Sequence, residues 1–388
     1  MLRRTWVRTH THPHTHRGGQ GGFEMLNVQP YGGGLWHTWF DRDLSVAGRA
    51  VVRRGGGGGG GGYEHRLVRV PRALLRISTL AIHLTSAEAR RRRGPLPSPA
   101  AAPPLSSNHP CPRRHRHGGL WAEGRRRGRR RAAAAATGRR HCPLLLSLLA
   151  EELGCDAGDI EDFELAVCDT QPSATGGAFD EFVFSGRLDN LCSSFQAIRA
   201  LVDSSESLAS EPNIRLAFLF DHEEIGAGGC RNLRRTENIH IAPPDAFERA
   251  LRRSFVVSSD MAHACHPNYA DKHDPQLKPK ARRSPPCPPP VGGGMVLKHN
   301  ANQRYATNAV GAFLFREIGR RAGLPTQVRP VRSRAPDSGR GSPSPRHRWA
   351  SPHQRSGRGS PQLSMHSVRE TMSAADVVAG YKHLKAVY

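Results

Sequence analysis

The chain has 388 residues, enough for a sizeable core and two domains, and a formal net charge of +24. Such a charge suggests a nucleic-acid binder. However, residues 86–140 (fifteen Arg against Glu88 and Glu123), residues 328–360 (eight Arg against Asp337) and the four Arg of residues 1–22 account for all of it. No RNA- or DNA-binding signature accompanies these runs, no apolar segment approaches the roughly 20 residues of a membrane span, and the eight Cys form no CxxC pair, which argues against nucleic-acid binding, membrane insertion and a Cys zinc site.

Residues 1–22 are an unassigned tail; "MLRRTWVRTHTHPHTH" lacks the apolar core of a signal peptide, so a soluble intracellular protein is expected, cytoplasmic with the vacuole as the second option. Residues 23–54 alternate aromatic and polar positions between turn residues and predict strands, and residues 65–84 continue in that manner beyond the Gly55 to Gly62 run. Residues 86–140 are Arg, Pro, Gly and Ser with almost no apolar periodicity, the composition of a low-complexity insert. From residue 141 the pattern changes. "PLLLSLLAEEL" predicts a helix and "FELAVCDT" (163–170) a buried strand, while Leu191, Phe195, Ile198 and Val202 predict an amphipathic helix over 190–203. "IRLAFLF" (214–220) and "SFVVSS" (254–259) suit parallel strands; residues 307–323 predict a helix capped by Thr307 and ended by Gly323 and Pro325. Residues 328–360 are again Arg/Ser/Pro-rich, and residues 361–388 end in a helix opened by the capping box Ser373/Asp376. Strands alternating with helices from residue 141 onwards predict an α/β sheet flanked by helices, with sites at the strand ends.

Acidic residues fall where those strands should stop. Asp189 precedes the 190–203 helix, "FDHEE" (220–224) follows a buried run, Asp260 follows the 254–259 strand, and His366 precedes the terminal helix. One such residue alone reads as a helix cap or a surface group; four motifs at loop positions on one sheet edge read as a metal site. Carboxylates with an imidazole suit a hydrolytic zinc or manganese pair, which needs a bridging carboxylate and an unliganded one as base, a division of labour that the adjacent Glu223 and Glu224 can supply.

The stretches "YGGGLWHTWFDRDLSVAGR", "DTQPSATGGAFDEFVFSGRLDNLCSSFQA", "FDHEEIG", "SSDMAHACHPNYADKHD", "VLKHNANQRYATNAV" and "PQLSMHSVRE" together resemble the aspartyl aminopeptidases, di-zinc metallopeptidases, in consistent order over about two-thirds of the chain. The resemblance implies a mixed-sheet α/β catalytic domain (141–327 and 361–388), with the aberrant segment 328–360 within it, and an inserted mainly-β oligomerisation domain to which residues 23–85 belong. It implies that Asp189 bridges two zinc ions, that Glu224 and His366 complete one and Asp260 binds the other, and that Glu223 is the general base. Lys298 and Tyr305 would receive the acidic side chain of the substrate, and His83 would reach a neighbouring subunit's active site in a homo-oligomer. The implied activity is removal of N-terminal Asp or Glu from peptides by a zinc-activated water.

Two departures stand out. The family's "HTDSP"-like motif, whose His binds the second zinc, has no counterpart near Arg4, and the His10, His12, His14 and His16 tract is not its equivalent, so one zinc ligand is expected to be missing. Its Asn-Asp and Cys-Gly-Ser-Thr-Ile-Gly-Pro segment is replaced by residues 328–360. The alternatives are a catalytically impaired relative acting as a peptide-binding or structural subunit and, further off, an Arg-rich nucleic-acid-binding protein.

Overall fold

The computed structural model describes residues 5–7, 24–26, 28, 30, 31, 33–54, 62–84, 105–107, 141, 143–220, 245–269, 291–299, 307–330 and 354–388. The chain forms two compact units, Arg4–Pro172 and, together with Met1–Arg3, Ser173–Tyr388. No helix among the described residues is long and apolar enough to cross a membrane.

The first unit contains β1 (Thr5–Val7), β2 (Glu24–Leu26), β3 (Leu44–Arg53), β4 (Tyr63–Arg69), β5 (Leu105–Ser107), helix α1 (Pro143–Leu153) and β6 (Ile160–Asp169). Its main sheet is antiparallel in the order β1-β6-β3-β4, with β2 and β5 paired separately. Alternation drives it. Leu44, Val46, Ala50 and Val52 on β3 and Phe163, Leu165 and Val167 on β6 are buried on one face, and α1 covers them with Leu145, Leu146, Leu149 and Leu153. At Gly48 a Cβ would stand 2.0 Å from the Glu164 carbonyl oxygen, so only glycine allows β3 to approach β6 there. Two expectations change. The strand reading of 65–84 holds only to Arg69, after which Leu75 makes a single bridge to Leu44. The boundary expected at residue 141 falls instead after Pro172, because β6 is an interior strand of the first sheet and α1 packs on it.

The second unit runs through β7 (Ala174–Gly176), β8 (Phe182–Ser185), α2 (Leu188–Asp203), α3 (Ala246–Arg253), β9 (Phe255–Ser259), β10 (Ala262–His263), β11 (Met295–His299), α4 (Ala309–Arg321), β12 (Thr326–Pro330), β13 (Gln354–Gly359), β14 (Pro361–Leu363), β15 (Glu370–Ser373) and α5 (Ala374–Val387). One sheet has the order β10-β14-β15-β8-β7 and the other β12-β11-β13-β9. Pairs β9–β13, β11–β12 and β10–β14 are parallel and β11–β13, β14–β15 and β8–β15 antiparallel, so the expected mixed sheet with flanking helices is present. Two short steps carry the chain directly from one sheet to the other, at Asp260 between β9 and β10 and at Ser360 between β13 and β14.

Several local expectations are corrected. The stripe Leu191, Phe195, Ile198 and Val202 of α2 is exposed; the helix buries Leu188, Cys192, Ser193, Gln196 and Ala200 instead. Its neighbour α5 selects that side: Gln196 Nε2 donates to the Val377 carbonyl at 3.0 Å, close to Gly380, where a Cβ would stand 2.4 Å from the same nitrogen. The run 214–220 is not a strand. Arg215 bonds the Ser204 carbonyl at 2.6 Å and Glu211, tying the segment to the end of α2, and β9 remains the edge of its sheet. Asn308, not Thr307, caps α4, accepting the Gly311 N–H at 2.7 Å; the Thr307 hydroxyl donates to the Lys298 carbonyl at 2.6 Å and accepts the Gly357 N–H at 2.8 Å. Ser373 caps α5 as expected, but Asp376 accepts the Gly292 and Gly294 N–H groups at 2.6 and 2.9 Å rather than reaching back to the cap. Finally, residues 354–359 of the Arg/Ser/Pro-rich stretch form β13, and Arg358 is fully buried there, its guanidinium 5.1 Å from the Phe315 ring centre with no hydrogen-bond partner among the described residues.

Candidate metal centre

The second unit brings Asp189, Asp260 and His366 to one place by three different local devices. Asp260 sits in the step between β9 and β10, where its N–H donates to the Arg358 carbonyl and the Ala262 N–H to the Ser360 carbonyl, both at 2.9 Å. A Cβ on Gly359 would lie 1.6 Å from the Asp260 carbonyl oxygen, so the two chains can run this close only because residue 359 is glycine. Asp189 follows Arg187, whose φ of 65° turns the chain out of β8 and into α2. His366 has a φ of 75° in the turn between β14 and β15. Such left-handed values at non-glycine residues persist only where surrounding contacts hold them, and they cluster at functional sites.

The geometry is tight. His366 Nε2 lies 3.4 Å from Asp189 Oδ2, and the Asp189 and Asp260 carboxyl groups are close enough to influence one another. Two neighbouring carboxylates repel one another when both are charged, and a cation between them would relieve that repulsion. Asn190 Nδ2 donates to the Ser259 carbonyl at 3.1 Å, tying the start of α2 to the end of β9. Lys298 Nζ, from β11, donates to Asp260 Oδ2 at 3.2 Å and to the Met261 carbonyl at 2.6 Å. The Asp260 side chain is 51% exposed, yet protein crowds its inner side. That crowding pushes its pKa up; the Lys298 charge, the interactions with Asp189 and Lys298 and the Met261 N–H outweigh it and hold the carboxyl below the usual range.

One residue absent from the sequence-based site organises it. Glu370, 1% exposed, accepts the Asp189 N–H on Oε2 at 3.0 Å and the His366 N–H on Oε1 at 2.7 Å. The signal was visible in "HSVRE", where a Glu stands four residues after the histidine, but its two partners lie 181 and 4 residues away and no local pattern reveals the first.

Two carboxylates and an imidazole around Asp189 fit zinc in chemical kind, and the contact of Asp189 with both other groups fits a shared ligand. Among the described residues no three His, Cys, Asp or Glu side chains form a complete metal cluster. Glu223, Glu224 and Tyr305, like His10, His12, His14 and His16, lie outside the described residues. His83 lies in the first unit, exposed in a 3₁₀ turn at Ile82–Leu84. Cys192, one turn along α2 from Asp189, is pushed up to about 12, first by burial and then by the Asp376 charge, which makes it an inert thiol rather than a nucleophile.

A mixed α/β unit with carboxylates and an imidazole gathered at its strand ends is the architecture of a metal-dependent hydrolase. The family model described as aminopeptidase I zinc metalloprotease (M18) matches residues 7–388, and the chain belongs to that family. It is 40% identical over 400 residues to the "Probable aspartyl aminopeptidase" of Ricinus communis, covering 95% of this chain and 76% of that protein. The cryo-EM structure of the Ape4 and Nbr1 complex matches with a TM-score of 0.79 at 31% identity, over 99% of this chain and 69% of that one. The S. cerevisiae mApe1 dodecamer has the same fold, with a TM-score of 0.72 at 23% identity over 99% of this chain and 76% of that one. The resemblance read from the sequence and the α/β fold class are borne out, and the chain is a zinc-dependent aminopeptidase by family.

Proposed function

We propose that this aminopeptidase removes N-terminal Asp or Glu from peptides and holds two zinc ions per chain through Asp189, Glu224, Asp260 and His366, with the family's N-terminal His ligand to the Asp260 zinc missing. The observation that carries the reading is the meeting of Asp189 with both His366 and Asp260, from three elements far apart in sequence. The acidic specificity is supported by the Ricinus communis relative's name and by the resemblance of "VLKHNANQRY" to the family's substrate-binding motif.

Bound zinc would supply Lewis acidity to water and to the peptide carbonyl. Glu223 would take the proton from that water and return it to the leaving amine. Asp189 would be the shared ligand, since it already faces both other donors. Lys298 and Tyr305 would receive the substrate's acidic side chain, an ammonium and a phenol being suitable partners for a carboxylate. We further propose a cytoplasmic homo-oligomer in which His83 of one copy completes the site of a neighbour, supported by the family resemblance and by the shared fold of the mApe1 dodecamer.

The test is zinc content per purified chain together with release of Asp from an N-terminal aspartyl peptide and of Ala from its alanyl counterpart. Two zinc ions and preferential release of Asp are expected. Fewer than two, or equal release from both peptides, overturns the stoichiometry or the specificity respectively.

A further inference from the structure

We infer that Glu370 is a positioning residue that sets the metal-binding geometry of Asp189 and His366 at once, through their backbones. This rests on the proposed assignment of those two residues as zinc ligands. Glu370 is fully committed: it is buried at the start of β15, with one carboxylate oxygen on the Asp189 N–H at 3.0 Å and the other on the His366 N–H at 2.7 Å.

His366 has a left-handed φ of 75°, and Arg187, two residues before Asp189, has one of 65°. Each costs backbone energy and needs an outside contact to persist. Glu370 supplies such a contact to the His366 N–H directly, and its other oxygen fixes where α2 begins. Its neighbour Arg369 adds a clasp, donating from Nη2 to the Phe184 carbonyl at 3.2 Å, while β15 pairs with β8 through Glu370 opposite Ser185. Gly186 allows this approach, since a Cβ there would lie 2.8 Å from the Val368 carbonyl oxygen. A single carboxylate thereby couples the positions of two ligands, and a ligand held by outer contacts typically loses 10–100-fold in metal affinity when they are removed.

The experiment measures zinc affinity of the purified full chain by competition with a chromogenic chelator, with circular dichroism recorded on the same samples. The variants are Glu370→Gln, Glu370→Asp and, as a control, Asp376→Asn, since Asp376 is also a buried carboxylate accepting two backbone N–H groups, from Gly292 and Gly294. Glu370→Gln keeps the shape but turns an amide N–H towards one of the two backbone donors. Expected are a roughly 10–100-fold loss of zinc affinity in Glu370→Gln with a folded spectrum, and wild-type affinity in Asp376→Asn. Equal affinity in Glu370→Gln and wild type overturns the positioning role alone, as does an equal loss in the Asp376→Asn control. If Glu370→Gln does not fold, Glu370→Asp decides by the same two criteria. Wild-type chain that binds no zinc overturns the site assignment itself.

Discussion

The two units bury different things. The first is mostly apolar inside: β3 and β6 present Leu44, Val46, Ala50, Phe163, Leu165 and Val167 to α1, and the buried Ser45 hydroxyl is satisfied by the Val70 carbonyl at 2.8 Å. The second threads polar residues through its centre, with Ser356, Arg358, Ser360 and Gln362 buried along β13 and β14, and Gln196 and His383 buried on the helices that cover them. One core is a product of hydrophobic periodicity; the other carries a strand whose composition opposes burial, and its stability depends on how each polar group is satisfied.

The sharpest way to break this comparison is to cut one methylene-rich contact in the first unit and remove one charge from the second. Leu165→Ala should lower stability by about 4 kcal/mol, because β6 is interior and cannot collapse into the cavity. Arg358→Met should do the reverse. Burial pushes the Arg358 pKa down to about 9, only partly opposed by Tyr388, so at neutral pH the folded state holds a charge with no hydrogen-bond partner among the described residues, which the unfolded state solvates. Replacing it with an apolar side chain of similar length should raise stability by about 3 kcal/mol. Thermal unfolding of both variants checks the signs; a destabilised Arg358→Met would mean that the guanidinium has an essential partner.

A smaller effect distinguishes two buried groups in the second unit by their opposite pH dependence. His383 stacks on Phe315 with ring centres 3.9 Å apart and is lowered to about 4, chiefly by burial. It is neutral when folded, so its contribution is complete above the unfolded value near 6.5 and is lost as pH falls towards 4. Asp376 is raised to about 6 by burial despite its two N–H donors, so its contribution is complete below the unfolded value near 3.8 and is lost as pH rises through 6. The two oppose each other between about pH 4 and about 6. Relative to wild type, His383→Leu should therefore lose stability with rising pH across that window and Asp376→Asn should gain it, each by roughly 2 kcal/mol. Urea unfolding at three pH values tests this; parallel profiles for both variants would refute it.

Reading the sequence located most elements but not their faces. The 3.6-residue spacing of Leu191, Phe195, Ile198 and Val202 correctly marked a helix and named the wrong side as buried, because the partner α5 comes from the far end of the chain and offers Gly380 and a carbonyl rather than an apolar surface. Thr307 and Asp376 look like caps locally and are recruited instead by Lys298 and by Gly292 and Gly294. Short-range rules count what lies within a turn, and each of these groups found a better partner outside it.

What the sequence determined by itself is chemistry and local form: the carboxylates Asp189 and Asp260 and the imidazole of His366 near strand ends, the family motifs, and the two-residue periodicity that makes β3 and β6. What only the tertiary structure decided is convergence: that Asp189 meets His366 at 3.4 Å, that Glu370 ties both backbones, and that β13 lies between β9 and β11 with Arg358 buried. The physical reason is the range of the forces involved. Side-chain type and periodicity act over one or two turns, whereas a buried hydrogen bond or an interior strand is fixed by groups a hundred or more residues away that only the folded chain brings together.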